Sequence, residues 1–263
     1  MRIVAAGKSP HDDKMTTSFE FLVALTIITF LLAGLVKGVI GLGMPSIAIA
    51  LLALIMTPAE AAAIMVVPTF VTNIWQMLMG PHLVALVRRL WMLFAASAMG
   101  IWFGGGVLTS ANSKVAASGL GIVLVIYAIV GLTKVRFSVP RRHEPWLSPL
   151  IGLLTGLIAG ATAVFVIPAG PYYQAIGLSK DELVQVLGLS FTVTVVTLAL
   201  VLWRDGVMHL SNVAGSALAV LPALAGMAMG QIVRRRASEE VFRRYFFVGL
   251  LLLGAQQAAR NLI

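Results

Sequence analysis

Apolar stretches of about 20 residues, each able to cross a hydrocarbon core roughly 30 Å thick, recur from Phe19 to Leu262 with only short polar breaks. Such a chain folds in lipid, where helices satisfy their own backbone groups. No gap is long enough for a soluble domain. Apolar residues make up 59% of the sequence and charged residues 11%, with a mean hydropathy of +0.97, outside the balance of a water-soluble domain. The polar residues 1–18 form a tail, and the apolar run after them is too long for a signal-peptide core and lacks a small-residue cleavage site, so it reads as a retained membrane helix.

Apolar runs and Gly/Pro punctuation divide the rest into two halves of five segments. The first half has segments at 19–41, 44–56, 59–79, 90–109 and 114–133; the second has them at 147–163, 166–177, 181–203, 211–231 and 240–261. In each half the second segment is too short to cross comfortably. A constant shift of 122 places Gly34 on Gly156, Gly38 on Gly160, Glu60 on Glu182 and Thr72 on Thr194, and a shift of 126 places Gly100 on Gly226 and Gly104 on Gly230. We read this as an internal repeat: a membrane unit at 19–133, a basic cytoplasmic linker at 134–146, and a second unit at 147–263.

A net charge of +9 and a pI near 10.5 would suit nucleic acid, but the basic residues sit in short loops, as expected of residues that orient membrane helices, so no nucleic-acid partner is expected. Arg88 and Arg89 fall between segments three and four, whereas in the second half Arg234, Arg235, Arg236, Arg243 and Arg244 fall between segments four and five. With Lys134, Arg136, Arg141 and Arg142 of the linker also cytoplasmic, the positive-inside rule is met when the halves point in opposite directions. Arg2, Lys8 and Lys14 disagree, unless translation begins at Met15. The expected fold is therefore an all-α integral membrane protein of two inverted repeats. Each is a helical hairpin with a short broken second segment plus three transmembrane helices, giving 8 to 10 membrane segments. Inversion requires the first two segments of each half to return the chain to its starting side, by two passes or by re-entry.

Inverted repeats with broken helices place substrate near the midplane, where half-helix N-termini offer N–H donors to an anion. The breaks read Gly41-Leu42-Gly43-Met44-Pro45 in the first half and Gly160 to Pro168, including Thr162, in the second. Lys37 stands inside an apolar segment one turn before the first break, where it either neutralises a bound anion or snorkels to the interface. Its repeat partner is Ala159. Thr69, Thr72, Asn73 and Gln76 follow i, i+3, i+4, i+7 spacing and share one helix face; Gln185, Ser190 and Thr194 stand in the matching segment of the other half. These groups line an anion site or join helices. Tyr172 and Tyr173 read as interfacial anchors. Glu60 and Glu182 open their helices, as caps or as coupling carboxylates.

The chain has no cysteine, which excludes disulfides and thiolate ligands, and His11, His82, His143 and His209 lie in the tail or loops without i, i+4 spacing. Neither a metal nor a cofactor is expected. No GxxxxGK[ST] occurs, and the membrane segments hold no acid–base cluster, so an enzyme is not expected.

The run Lys37-Gly38-Val39-Ile40-Gly41-Leu42-Gly43-Met44-Pro45, the run Pro58-Ala59-Glu60-Ala61-Ala62 and the run from Val67 to Gln76 resemble the TauE/SafE sulfite exporter family. So do Gly160-Ala161-Thr162 through Ala169 and Asp181-Glu182-Leu183 through Phe191. The resemblance covers nearly the whole chain from Phe19, although Thr162-Ala163-Val164-Phe165 departs from the fuller Gly-rich form of the second break. It implies a secondary transporter of sulfite, sulfonates or related anions, multi-pass in the cell inner membrane, with lipid and a small anion as partners. A homodimer, a proton- or cation-coupled uptake permease and a non-transporting assembly protein stay open.

Overall fold

The computed structural model describes residues 10–110, 112–133, 138–236 and 239–262; Arg2, Lys8, Lys134 and Arg136 of the charge reading lie outside them. Among the described residues there is no strand. The helices are α1 (Pro10–Ile40), α2 (Met44–Leu52), α3 (Pro58–Leu78), α4 (Leu83–Leu108), α5 (Ser113–Leu132), α6 (Glu144–Thr162), α7 (Ala169–Ala175), α8 (Lys180–Arg204), α9 (Leu210–Leu218), α10 (Val220–Arg236) and α11 (Glu239–Leu262). A 3-10 turn, Arg141–His143, leads into α6.

Among the described residues, seven helical stretches, in α1, α3, α4, α5, α6, α8 and across α9 and α10, are long and apolar enough to cross a membrane. Their outward faces carry Phe103, Leu200, Trp203 and Leu221, all well exposed, as side chains against lipid would be. α2 and α7 have 9 and 7 residues, which at about 1.5 Å per residue cover less than half the hydrocarbon thickness. α1 and α3 run the same way, since Lys37 and Gly41 near the end of α1 meet Thr72 and Gln76 late in α3. α2 and the loop after it therefore carry the chain back.

Four close crossings hold the bundle, and glycine makes them close. A Cβ on Gly34 would lie 2.2 Å from Ala223 O, on Gly38 2.2 Å from Met227 O, and on Gly226 2.1 Å from Leu31 O, so α1 and α10 touch backbone to backbone. α6 meets α4 the same way: Cβ atoms on Gly156 and Gly100 would lie 2.1 Å from Ser97 O and 2.5 Å from Leu153 O. In both pairs the helices are parallel. The other two crossings are antiparallel: α3 with α8, where Gly188 packs on Gln76 and Met77, and α5 with α11, where Gly121 packs on Gly254 and Ala258 while Gly131 meets Phe247.

Boundaries differ from the sequence reading where a side chain finds a distant partner or a backbone group is missing. α1 begins at Pro10, inside the expected tail, with proline at the first helical position, where its missing N–H costs nothing. α4 begins at Leu83 and takes in Arg88 and Arg89, which are helical rather than in a loop. Arg89 is anchored by Glu144, which itself opens α6 ahead of the expected start at 147. The expected segment 211–231 is divided at Ala219. Pro222 has no N–H for the Leu218 carbonyl, so the helix steps there.

Candidate functional site

Two glycines fix the end of α1. Gly41, whose N–H still reaches Lys37 O at 2.8 Å, has φ +82°, and Gly43, just before α2, has φ +98°. Glycine adopts both without steric cost. The Phe246 ring of α11 closes over Gly43, where a Cβ would lie 2.9 Å from it. Pro45 sits in the first turn of α2, and no side chain caps that helix. Its first-turn N–H groups and positive dipole end are thus turned toward the break.

Lys37 does not snorkel. It is 4% exposed, and its Nζ donates inward, to Thr72 Oγ1 at 3.1 Å and to Asn73 Oδ1. Thr72 donates onward to Pro68 O at 2.8 Å, beside Met44 Sδ at 3.4 Å. Both acceptors are neutral, and among the described residues no carboxylate pairs with Lys37. On the same buried face of α3, Thr69 Oγ1, Asn73 Nδ2 and Gln76 Oε1 have no hydrogen-bond partners. A buried cation with neutral ligands and spare hydrogen-bonding groups is one counter-charge short; its uncompensated cost inside a membrane is at least about 2.5–3.5 kcal/mol.

Gln76 and Gln185 lie at the same end of the α3–α8 crossing and tie it together. Gln76 Nε2 donates to Gly41 O at 3.1 Å and Val184 O at 2.9 Å. Gln185 Nε2 donates to Met77 O at 2.8 Å and Gly80 O at 2.6 Å, while its Oε1 accepts from His82 N at 2.9 Å. Gln185 therefore holds the α3–α4 turn.

At the second break, Ala163 takes φ +57°, and the polar groups satisfy one another. Thr162 Oγ1 donates to Ile158 O at 2.7 Å and accepts from Val164 N at 3.3 Å; Thr194 donates to Ser190 O at 2.7 Å; Ser190 Oγ accepts from Tyr173 OH at 2.9 Å. Pro168 precedes α7, whose Ala169 N–H is taken by Thr155 Oγ1 at 3.1 Å. None of Thr162, Pro168, Ser190 and Thr194 bonds to the Lys37 group. Under the shift of 122, Lys37, Thr69, Asn73 and Gln76 become Ala159, Phe191, Val195 and Leu198, all buried and apolar. The scaffold repeats, but the polar cluster stands in one half only.

Tyr172 and Tyr173 are not interfacial anchors: both are buried, Tyr172 OH meeting Ser148 Oγ at 2.8 Å. Glu60 and Glu182 close two capping boxes. Glu60 Oε2 accepts from Thr57 N at 2.9 Å and Glu182 Oε2 from Ser179 N at 2.8 Å, with each hydroxyl answering the glutamate N–H at 3.3 Å. The S/T-x-x-E spacing that marks these caps is in the sequence, and Thr57 and Ser179 obey the shift of 122. No sequence pattern points to Gln257 and Arg260 of α11, which donate to Ala53 O and Leu54 O at the far end of α2. There they line a cavity of about 430 Å³ with Thr57 and Glu60.

The family model for sulfite exporter TauE/SafE matches residues 26–256. No curated protein and no solved structure matches the chain.

Proposed function

Because the chain belongs to the sulfite exporter TauE/SafE family, we propose that it is a secondary transporter of the cell inner membrane. It exports a small sulfur-containing or organic anion, such as sulfite or a sulfonate, by alternating access. The observation that carries this reading is the Lys37 group: a buried ammonium with two neutral acceptors and no carboxylate. An oxyanion supplies the missing counter-charge. Its oxygens accept from Lys37, from the unpartnered Asn73 amide and Thr69 hydroxyl, and from the uncapped N–H groups opening α2. Neutral donors around a single cation let the anion leave again.

Two related halves of opposite direction complete the mechanism, and the crossings support them. Exchanging the halves turns the α1–α10 pair into the α6–α4 pair and returns α3–α8 and α5–α11 to themselves. The corresponding helices α3 and α8, and α5 and α11, are antiparallel, as inversion requires. Counting α11 with the seven apolar spans gives eight passes, with α2 and α7 as the returning short elements. Rocking of one half against the other opens the Lys37 group to each side in turn, Gln76 and Gln185 closing the α3–α8 end.

Purified protein melted in detergent with a panel of sulfite, thiosulfate, sulfate and small sulfonates tests the site. A bound cargo at about 100 times its Kd adds about 2.7 kcal/mol to stability, so at least one sulfur oxyanion raises the melting temperature in a saturable way, and chloride at equal ionic strength does not. A panel in which every salt acts alike speaks against an oxyanion site.

A further inference from the structure

Three arginines converge near the start of α4 and the entry to α6, on residues separate from the Lys37 group. Arg88, Arg89 and Arg141 line a cavity of about 300 Å³ together with Glu144, Trp91 and Met92. Arg89 is fully engaged: it forks onto Glu144, Nε to Oε2 at 2.9 Å and Nη2 to Oε1 at 2.7 Å, and gives a further bond to Ile176 O at 3.0 Å. Glu144 is buried and spends its charge on that pair. Arg88 and Arg141 are exposed, and among the described residues neither has a carboxylate partner. The cavity thus keeps about two positive charges after its internal pair is counted.

Its walls are of two kinds. The arginines and Ser148 form a polar floor, while Trp91 and Met92 form a wall on the outward face of α4. Trp91, in the third turn of α4, and Trp146, in the first turn of α6, are each 56% exposed. Half-exposed tryptophans at the ends of membrane helices mark the headgroup level of a bilayer. A cationic floor at headgroup depth, with an apolar wall leading down a lipid-facing helix, fits a ligand that has a phosphate at one end and hydrocarbon at the other. A free inorganic anion would use the floor and leave the wall uncovered.

We propose that this cavity is a binding site for the phosphodiester headgroup of an anionic phospholipid, held between Arg88 and Arg141, with the Arg89–Glu144 pair fixing the angle between α4 and α6. The lipid seals the junction where the linker enters the second half.

The test uses the full-length protein in detergent, melted with phosphatidylglycerol, with phosphatidylcholine and with inorganic phosphate. The variants are R88Q/R141Q, which leaves Arg89 and Glu144 intact, and R141Q alone, outside the long helices. Phosphatidylglycerol is expected to raise the melting temperature of the parent, phosphatidylcholine and phosphate at the same concentration much less. At about 1 kcal/mol per arginine near a lipid surface and tenfold per about 1.4 kcal/mol, the double variant binds phosphatidylglycerol about thirtyfold more weakly and R141Q about fivefold. Lys37→Met keeps the lipid response whole, which separates this site from the transport site. The proposal is overturned if both lipids act equally, if phosphate alone reproduces the effect, or if the parent and R141Q respond alike.

Discussion

Lys37→Met is expected to abolish measurable anion flux while leaving a folded protein. Methionine keeps an apolar stem of similar length and removes the ammonium. A charge-assisted hydrogen bond to an anion contributes about 1.5–3 kcal/mol, or roughly ten- to hundredfold in affinity, and the loss of electrostatic attraction from the cation beside the start of α2 adds to it. The fold loses the two Lys37 hydrogen bonds, to Thr72 and Asn73, but not its helix. The repeat partner Ala159 stands at the corresponding turn of α6 without a charge, so the helix needs no cation there, and removing a buried ammonium relieves its desolvation cost. Efflux from proteoliposomes, read beside the melting temperature, checks both parts. Undiminished flux from a folded variant would return Lys37 to a packing role.

The second large effect is on the scaffold. Gly156→Ala and Gly226→Ala each place a methyl about 2.1 Å from a carbonyl oxygen of the facing helix, Ser97 O in one case and Leu31 O in the other. Backbone cannot give way as a flexible side chain does, so the helices must part. The cost is about 1–3 kcal/mol or more for each, and the two add, because they lie in different crossings. Gly106→Ala and Gly249→Ala are the controls: a Cβ there meets nothing within 4 Å, and alanine is about 0.8–1.0 kcal/mol better than glycine in a helix. Melting in detergent should drop sharply for the first pair and hold or rise for the second. Equal behaviour of the four variants would mean that the close crossings do not hold the bundle.

Those glycines also show what the sequence could reveal. Gly34, Gly38, Gly100, Gly104, Gly156, Gly160, Gly226 and Gly230 were legible as two shifts in the chain, and they are the residues at which α1 meets α10 and α4 meets α6. Close approach demands glycine, so spacing in sequence carries contact in space. The first break was legible for a similar reason: Gly41 and Gly43 take positive φ that other residues resist, whereas at the second break the positive φ falls on Ala163, which no glycine marks. The i, i+3, i+4, i+7 pattern placed Thr69, Thr72, Asn73 and Gln76 on one buried face of α3.

Periodicity gives a face but not what it faces. Lys37 had two satisfactory destinations in sequence, interface or interior, and only the tertiary placement of the end of α1 within side-chain reach of α3 selects Thr72 and Asn73. Gln185 likewise had two readings, lining a site or joining helices, and its three bonds, which no local pattern encodes, go to the α3–α4 turn. Arg89 read as an orienting loop charge because its partner, Glu144, belongs to another helix of the other half. Side-chain pairs of this kind depend on tertiary placement, which no local pattern encodes.

The central claim is that an anion crosses the membrane at Lys37, and a membrane potential addresses it directly. Liposomes holding the wild-type protein and loaded with sulfite are given an interior-negative potential. A transported anion gains about 2.3 kcal/mol per charge per 100 mV on leaving, so sulfite efflux should accelerate with the potential and fall to the protein-free level with Lys37→Met. Efflux no faster than from protein-free liposomes at every potential, for sulfite and for the sulfonates alike, would contradict the account.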